Sequence, residues 1–144
     1  MPTTRRSRTL PAAPDDVWRV VGDPNHLPRW WPKVQRVEGV DAHAFTKVFG
    51  TSKGRPVRAD FRVAEVEAPR RRRWVQVVEG SPFERILLSA EEVAVVEQGG
   101  DGTTVTLETR QKLRGLSKLG GFIVRRATRR QLDEALDALE RIVR

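Results

Sequence analysis

The sequence predicts an α+β chain: a curved antiparallel sheet of about seven strands wrapped on a long C-terminal helix, with two short helices after the first strand. Three observations carry this. In residues 115–144, Leu132, Ala135, Leu139 and Ile142 recur at a spacing of three to four, with Leu136 and Val143 beside them and no proline in the way. That spacing makes one stripe on a helix. Between residues 33 and 111 the period changes to two, as half-buried strands require. Proline, aspartate and tryptophan cluster in residues 11–32, where helix starts and stops alternate too closely for a long element.

Residues 3–10 read as an edge strand, since Arg6 and Arg8 interrupt its apolar face. Pro14 then supplies a fixed φ, and Asp15 and Asp16 favour the positive end of a helix. Val17, Val20 and Val21 form its buried side, and residues 22–25 end it. Residues 26–32, His-Leu-Pro-Arg-Trp-Trp-Pro, form a second short helix. Adjacent residues on a helix point about 100° apart, so at most one of Trp30 and Trp31 faces a pocket. Trp30 is taken as that residue.

Strands follow at residues 34–40 and 44–51, with a turn at 52–55. In the next strand Val57, Ala59, Phe61 and Val63 alternate with Arg58, Asp60 and Arg62; the phase slips at Ala64, which predicts a β-bulge. Residues 72–79 place Val75 and Val77 on one face and Trp74, Gln76 and Val78 on the other; the valine face is read as inward, while Gln76 stays open as a candidate inward polar group beside Thr109 and Gln111. Residues 83–97 form a long strand bulged near 89–92. Gly-Gly-Asp-Gly at 99–102 is a hairpin turn. The last strand sets Val105, Leu107, Thr109 and Gln111 against Thr104, Thr106, Glu108 and Arg110. A sheet with one apolar face needs a cover, and only the C-terminal helix is long enough: about 26 residues span roughly 39 Å. Its stripe continues upstream through Thr128, Val124, Gly121 and Ser117, all small, so its first half leaves space where a ligand can sit. Leu116, Leu119, Phe122 and Ile123 lie off this stripe. They either pack locally, form an apolar lip at a pocket mouth, or meet a second copy.

Composition bounds the function. At 144 residues one domain, 1–144, is expected. There is no cysteine, which excludes disulfides and thiolate chemistry, and no run approaches the length of a membrane span. A cytoplasmic location is the expectation, without integral membrane contact. The net charge of +8 suits an anionic partner: nucleic acid, anionic lipid or an acidic ligand. A GC-rich bacterial genome explains the arginine excess equally well, and the basic runs lack the interleaved aromatics that base stacking requires. Nucleic-acid binding is therefore the weakest of three readings. His26 and His43 have no metal-ligand partner at a suitable spacing, so neither metal nor cofactor is expected. No strained nucleophile elbow and no phosphate loop occurs.

The order strand, two short helices, six strands, long helix resembles the helix-grip fold of the START-like (SRPBCC) superfamily. That superfamily includes birch-pollen-allergen-like proteins and polyketide cyclase/dehydrase-like and lipid-transport proteins. The residues that carry the resemblance are Ala13-Pro14-Asp15-Asp16-Val17-Trp18, Asp23-Pro24, the segment 27–32 with its paired tryptophans, Pro69, the Gly-Gly-Asp-Gly hairpin and the C-terminal helix. The basic first strand departs from the pattern and puts its pairing in question. The resemblance implies a cavity between sheet and helix that holds a hydrophobic small molecule of lipid, polyketide or isoprenoid class. Its expected lining is Trp30, Phe61, Val63, Val75, Val77, Leu88, Val105, Leu107, Thr109, Gln111, Gly121, Val124 and Thr128. No residue is assigned as catalytic. The alternative is a polyketide cyclase or dehydratase working in the same cavity. The oligomeric state, monomer or homodimer, stays open.

Overall fold

The computed structural model describes residues 2–51, 53–115 and 118–143, and of Lys118 and Leu119 the backbone only. The expectations placed on Ser117 and Leu116, on the Leu119 side chain, on Ser52 and on Arg144 lie outside the described residues.

Strand β1 (Thr3–Leu10) leads into α1 (Pro14–Val21), a single 3-10 turn (Pro24–His26) and α2 (Leu27–Trp30). The sheet then builds through β2 (Val34–Glu38), β3 (Ala44–Phe49), β4 (Val57–Glu67), β5 (Arg71–Gln76), β6 (Leu87–Gly99) and β7 (Gly102–Leu113), and α3 (Lys118–Val143) closes the chain. The seven strands lie in the order β1-β7-β6-β5-β4-β3-β2, every neighbouring pair antiparallel. The sheet curves around α3, whose Leu132, Ala135, Leu136 and Leu139 have no solvent exposure. They pack with Val105, Leu107, Ala94, Val96 and the α1 residues Val17, Val20 and Val21 into one core. Burying each such leucine contributes about 2 kcal/mol.

The arginines of β1 add to its pairing rather than weaken it. Thr3 lies opposite Arg110 and Leu10 opposite Thr103. Arg5 Nε donates to Glu108 at 2.7 Å, Arg6 Nε to Asp133 at 2.8 Å, and Arg8 pairs with Asp137. The basic strand is thus tied to β7 on one side and to α3 on the other. Each exposed pair contributes at most about 1 kcal/mol. The expected slip in β4 is present as a register shift between Val63 and Glu65, and β6 shifts between Leu87 and Ser89. The long strand starts later than the sequence predicts. Pro82 opens a 3-10 turn (Pro82–Arg85), with Ser81 capping the Phe83 N–H at 3.2 Å, so the strand begins at Leu87. In the β6–β7 hairpin, glycine at 102 has a packing cause. A Cβ there would stand 2.1 Å from the Leu10 carbonyl oxygen, where β1 leaves the sheet.

Candidate functional site

The bulky stripe of α3 stops at Leu132. Toward the helix N-terminus the facing residues are Thr128 and Val124, and the sheet beneath them is left uncovered. A cavity of about 360 Å³ opens there. Small residues on the sheet make the room: Ala59 sits beside Lys47 across β3–β4, and Ala90 beside Gln111 across β6–β7. Trp31, Phe49 and Phe61 wall one side; Phe83, Ile86, Leu87 and Leu113 wall another; Val124 and Gln131 of α3 form the roof.

The floor is polar. Glu92 on β6 lies opposite Thr109 on β7 and opposite Trp74 on β5; Gln76 lies two residues on from Trp74, opposite Phe61. Gln76, Glu92, Thr109 and Gln111 therefore share one patch of the concave face, and all border the cavity. Gln76 Nε2 and Thr109 Oγ1 are buried without a hydrogen-bond partner among the described residues. Leaving a buried donor unmade costs about 1–3 kcal/mol.

Behind the floor sits a buried ion pair. Lys47 Nζ donates to both Glu92 oxygens, at 2.7 and 2.8 Å. The ammonium stands 4.2 Å from the Trp31 ring centroid and 4.6 Å from that of Phe61. Burial pushes its pKa down to about 8, although the Glu92 carboxylate pulls the other way. Arg72 is buried as well, its guanidinium 3.4 Å over the Trp74 ring, its Nε donating to the Val21 carbonyl at the end of α1. Burial also lowers its pKa, to about 9.

Of the residues expected to line the cavity, Phe61, Thr109, Gln111 and Val124 do so. Val105 and Leu107 are fully buried beneath the C-terminal half of α3 instead, and Val63 packs at the edge of that core. Thr128 is buried, with its hydroxyl back-bonded to the Val124 carbonyl at 2.9 Å, and faces a neighbouring groove. Trp30 and Trp31 meet edge to face at 5.5 Å, and it is Trp31 that reaches the cavity. Trp31 is the cap residue of α2 with extended backbone (φ −82, ψ 127), so its ring leaves the helix in a direction that a helical spacing does not give. Val75 and Val77 stand on the wrong face: Arg72, Trp74 and Gln76 point inward, and strand alternation turns the valines away. Leu88 is 44% exposed and Leu87 takes its place, because the register shift at the start of β6 reverses the phase. Gly121 is not in the lining, and a Cβ there would meet nothing within 4 Å.

The buried charges were legible only through phase. Lys47 alternates with Phe45 and Phe49, and Glu92 with Ala90, Ala94 and Val96, which places both on apolar faces with opposite signs. Among the described residues no group of histidine, cysteine or carboxylate side chains could hold a metal ion. No helix among them is long and apolar enough to cross a membrane.

A seven-stranded sheet gripping a long helix over a partly apolar cavity is the helix-grip architecture of START-like proteins. The model of the family described as polyketide cyclase / dehydrase and lipid transport matches residues 1–144. The chain belongs to that family. Among solved structures it is similar to a START superfamily protein from Mycobacterium smegmatis, at TM-score 0.77 and 12% identity, over 98% of this chain and 96% of that one. The di-domain ARO/CYC StfQ of the steffimycin biosynthetic pathway aligns at TM-score 0.78 and 12% identity, over 98% of this chain and 50% of StfQ. A protein from Thermus thermophilus aligns at TM-score 0.75 and 23% identity, over 99% and 97% of the two chains. At these identities the likeness concerns the fold alone. None of the functionally curated proteins matches the sequence.

Proposed function

We propose that this protein binds a hydrophobic small molecule of lipid, polyketide or isoprenoid class in the cavity between the sheet and α3. The observation that carries the reading is the pair of unpartnered polar atoms, Gln76 Nε2 and Thr109 Oγ1, on the floor of an otherwise largely apolar cavity. A cavity kept for packing alone gains nothing from them, whereas a ligand oxygen completes both. Gln76 donates, the Thr109 hydroxyl donates or accepts, and the aromatic and aliphatic walls take the apolar body. Uptake of N-phenyl-1-naphthylamine, a neutral apolar fluorophore, tests the reading. The wild type should bind it, and Ala90→Phe, which fills the floor, should abolish binding while circular dichroism stays unchanged. Undiminished uptake by a folded Ala90→Phe variant would refute this site.

A second reading is enzymatic, a cyclase or dehydratase acting in the same cavity, and one observation favours it. Glu92 presents a carboxylate to the cavity between Gln76 and Thr109, with Lys47 holding it in place. Such a carboxylate can take a proton beside a ligand carbonyl while Gln76 and Thr109 donate to the developing oxyanion. Glu92→Gln should then abolish turnover of a keto-bearing substrate but leave fluorophore uptake intact. Equal turnover by the variant would remove this alternative.

A further inference from the structure

The outer face of the first half of α3 carries an unusual combination. Phe122 is 48% exposed and Ile123 58% exposed. At 100° per residue, Arg126, Arg129 and Arg130 lie on the same outward side, with Arg125 at its edge. All four arginines are exposed. Their guanidinium groups form no ion pair or hydrogen bond with any described residue. Elsewhere the basic residues largely find carboxylates: Arg5, Arg6, Arg8, Arg36, Arg58, Arg71, Arg73 and Arg110 all do. The second half of the same helix is acidic outside, with Asp133, Glu134, Asp137 and Glu140. Charge is thus segregated along α3, and among the described residues its exposed large apolar side chains stand at the basic end.

That end borders the cavity. Val124 and Gln131, on the inward side of the same turns, form the cavity roof, and Ile86, 53% exposed, stands on its rim. Exposed aliphatic side chains among uncompensated arginines match a surface that offers anionic groups outside and hydrocarbon just beneath. Nucleic acid offers the phosphates but no layer for Ile123 and Ile86, which cannot stack on bases. A second copy that met this face with its own would set the exposed arginines of one chain against those of the other.

We propose that the basic, apolar outer face of the first half of α3 is a docking surface for an anionic lipid bilayer, beside which the cavity takes up or releases its ligand. The docking stands on the surface alone; the exchange rests on the ligand-binding reading above. Attraction of about 1 kcal/mol per arginine near an anionic surface is roughly fivefold in partitioning. Phe122 and Ile123 add about tenfold or more together if both enter the interface.

Flotation of the full chain with lipid vesicles tests this. The protein should float with phosphatidylcholine vesicles containing phosphatidylglycerol, not with phosphatidylcholine alone, and rising salt should weaken the binding. Arg125→Gln, Arg126→Gln, Arg129→Gln and Arg130→Gln together should lower partitioning several hundred-fold, and Phe122→Ser with Ile123→Ser about tenfold at unchanged charge. These positions are exposed, so the variants should fold, which circular dichroism checks. Ala90→Phe should float like the wild type, which separates docking from cavity filling. The proposal is overturned if the wild type ignores the anionic vesicles or if the variants float equally well. It is equally overturned if a DNA duplex of equal phosphate concentration binds more tightly. A wild-type dimer in analytical ultracentrifugation that the double serine variant splits would assign the face to a second copy instead.

Discussion

Replacing Lys47 by methionine isolates what the buried ion pair does. The side chain has no solvent exposure, and its ammonium is held by both Glu92 oxygens at 2.7 and 2.8 Å between the Trp31 and Phe61 rings. Methionine keeps the length and loses the charge. Breaking a buried pair by removing one partner costs about 3–5 kcal/mol, because the other charge stays behind unpaired. Glu92 retains 13% exposure of its side chain on the cavity side, which places its share at the lower end, about 3 kcal/mol. The lost ammonium–ring contacts add about 1 kcal/mol. A total of about 4 kcal/mol is a large part of the stability of a small domain. Adding Glu92→Gln to Lys47→Met should recover about half of the loss, since no unpaired charge then remains. Urea denaturation followed by tryptophan fluorescence reads this directly, with Trp31 and Trp74 close to the pair. A single-variant loss below about 1 kcal/mol, or a double variant no more stable than the single, would refute the argument that these charges are a coupled buried pair.

Three further outcomes follow from the same region and from the sheet. Thr109→Val removes a buried hydroxyl that lacks a partner, so the variant should gain about 1 kcal/mol in urea denaturation while retaining less co-purified ligand; a loss of stability would mean the hydroxyl is satisfied within the protein. Lys47 has a folded pKa of about 8 against the ordinary 10.5, so between these pH values the unfolded chain holds a proton that the folded chain has released. Stability relative to the Lys47→Met, Glu92→Gln double variant should therefore rise from about pH 8 to about pH 10.5, and a flat or falling difference would contradict the lowered pKa. Gly102→Ala would drive a Cβ to 2.1 Å from the Leu10 carbonyl oxygen, a backbone atom with little freedom; a cost of about 3 kcal/mol or more in thermal or urea unfolding is expected.

Much of the architecture was legible because it is written in local periods. The α3 stripe at Leu132, Ala135 and Leu139 and the alternation of Val105, Leu107 and Thr109 each repeat within one element. What failed was phase where both faces of a strand carry ambiguous residues. In β5, Val75 and Val77 outweigh Trp74 and Gln76 on apolarity, and Arg72 reads as outward. Yet Arg72 is accommodated inside because the Trp74 ring lies under it and a carbonyl 51 positions away in the chain accepts from it. The partner of Lys47 is 45 positions distant. No local pattern names such partners: phase sets Lys47 and Glu92 on apolar faces but does not join them into a pair. Trp31 was lost for a smaller reason: its direction depends on a cap conformation, not on helical spacing.

The central claim is that the cavity above Gln76, Glu92 and Thr109 holds an apolar ligand bearing an oxygen. Native mass spectrometry of the protein as purified from cells, followed by organic extraction, tests it most directly. The wild type should carry a discrete added mass, released on extraction as an oxygen-bearing lipid, polyketide or isoprenoid, and the folded Ala90→Phe variant should carry none. The same mass on both proteins would place the ligand elsewhere and contradict the account.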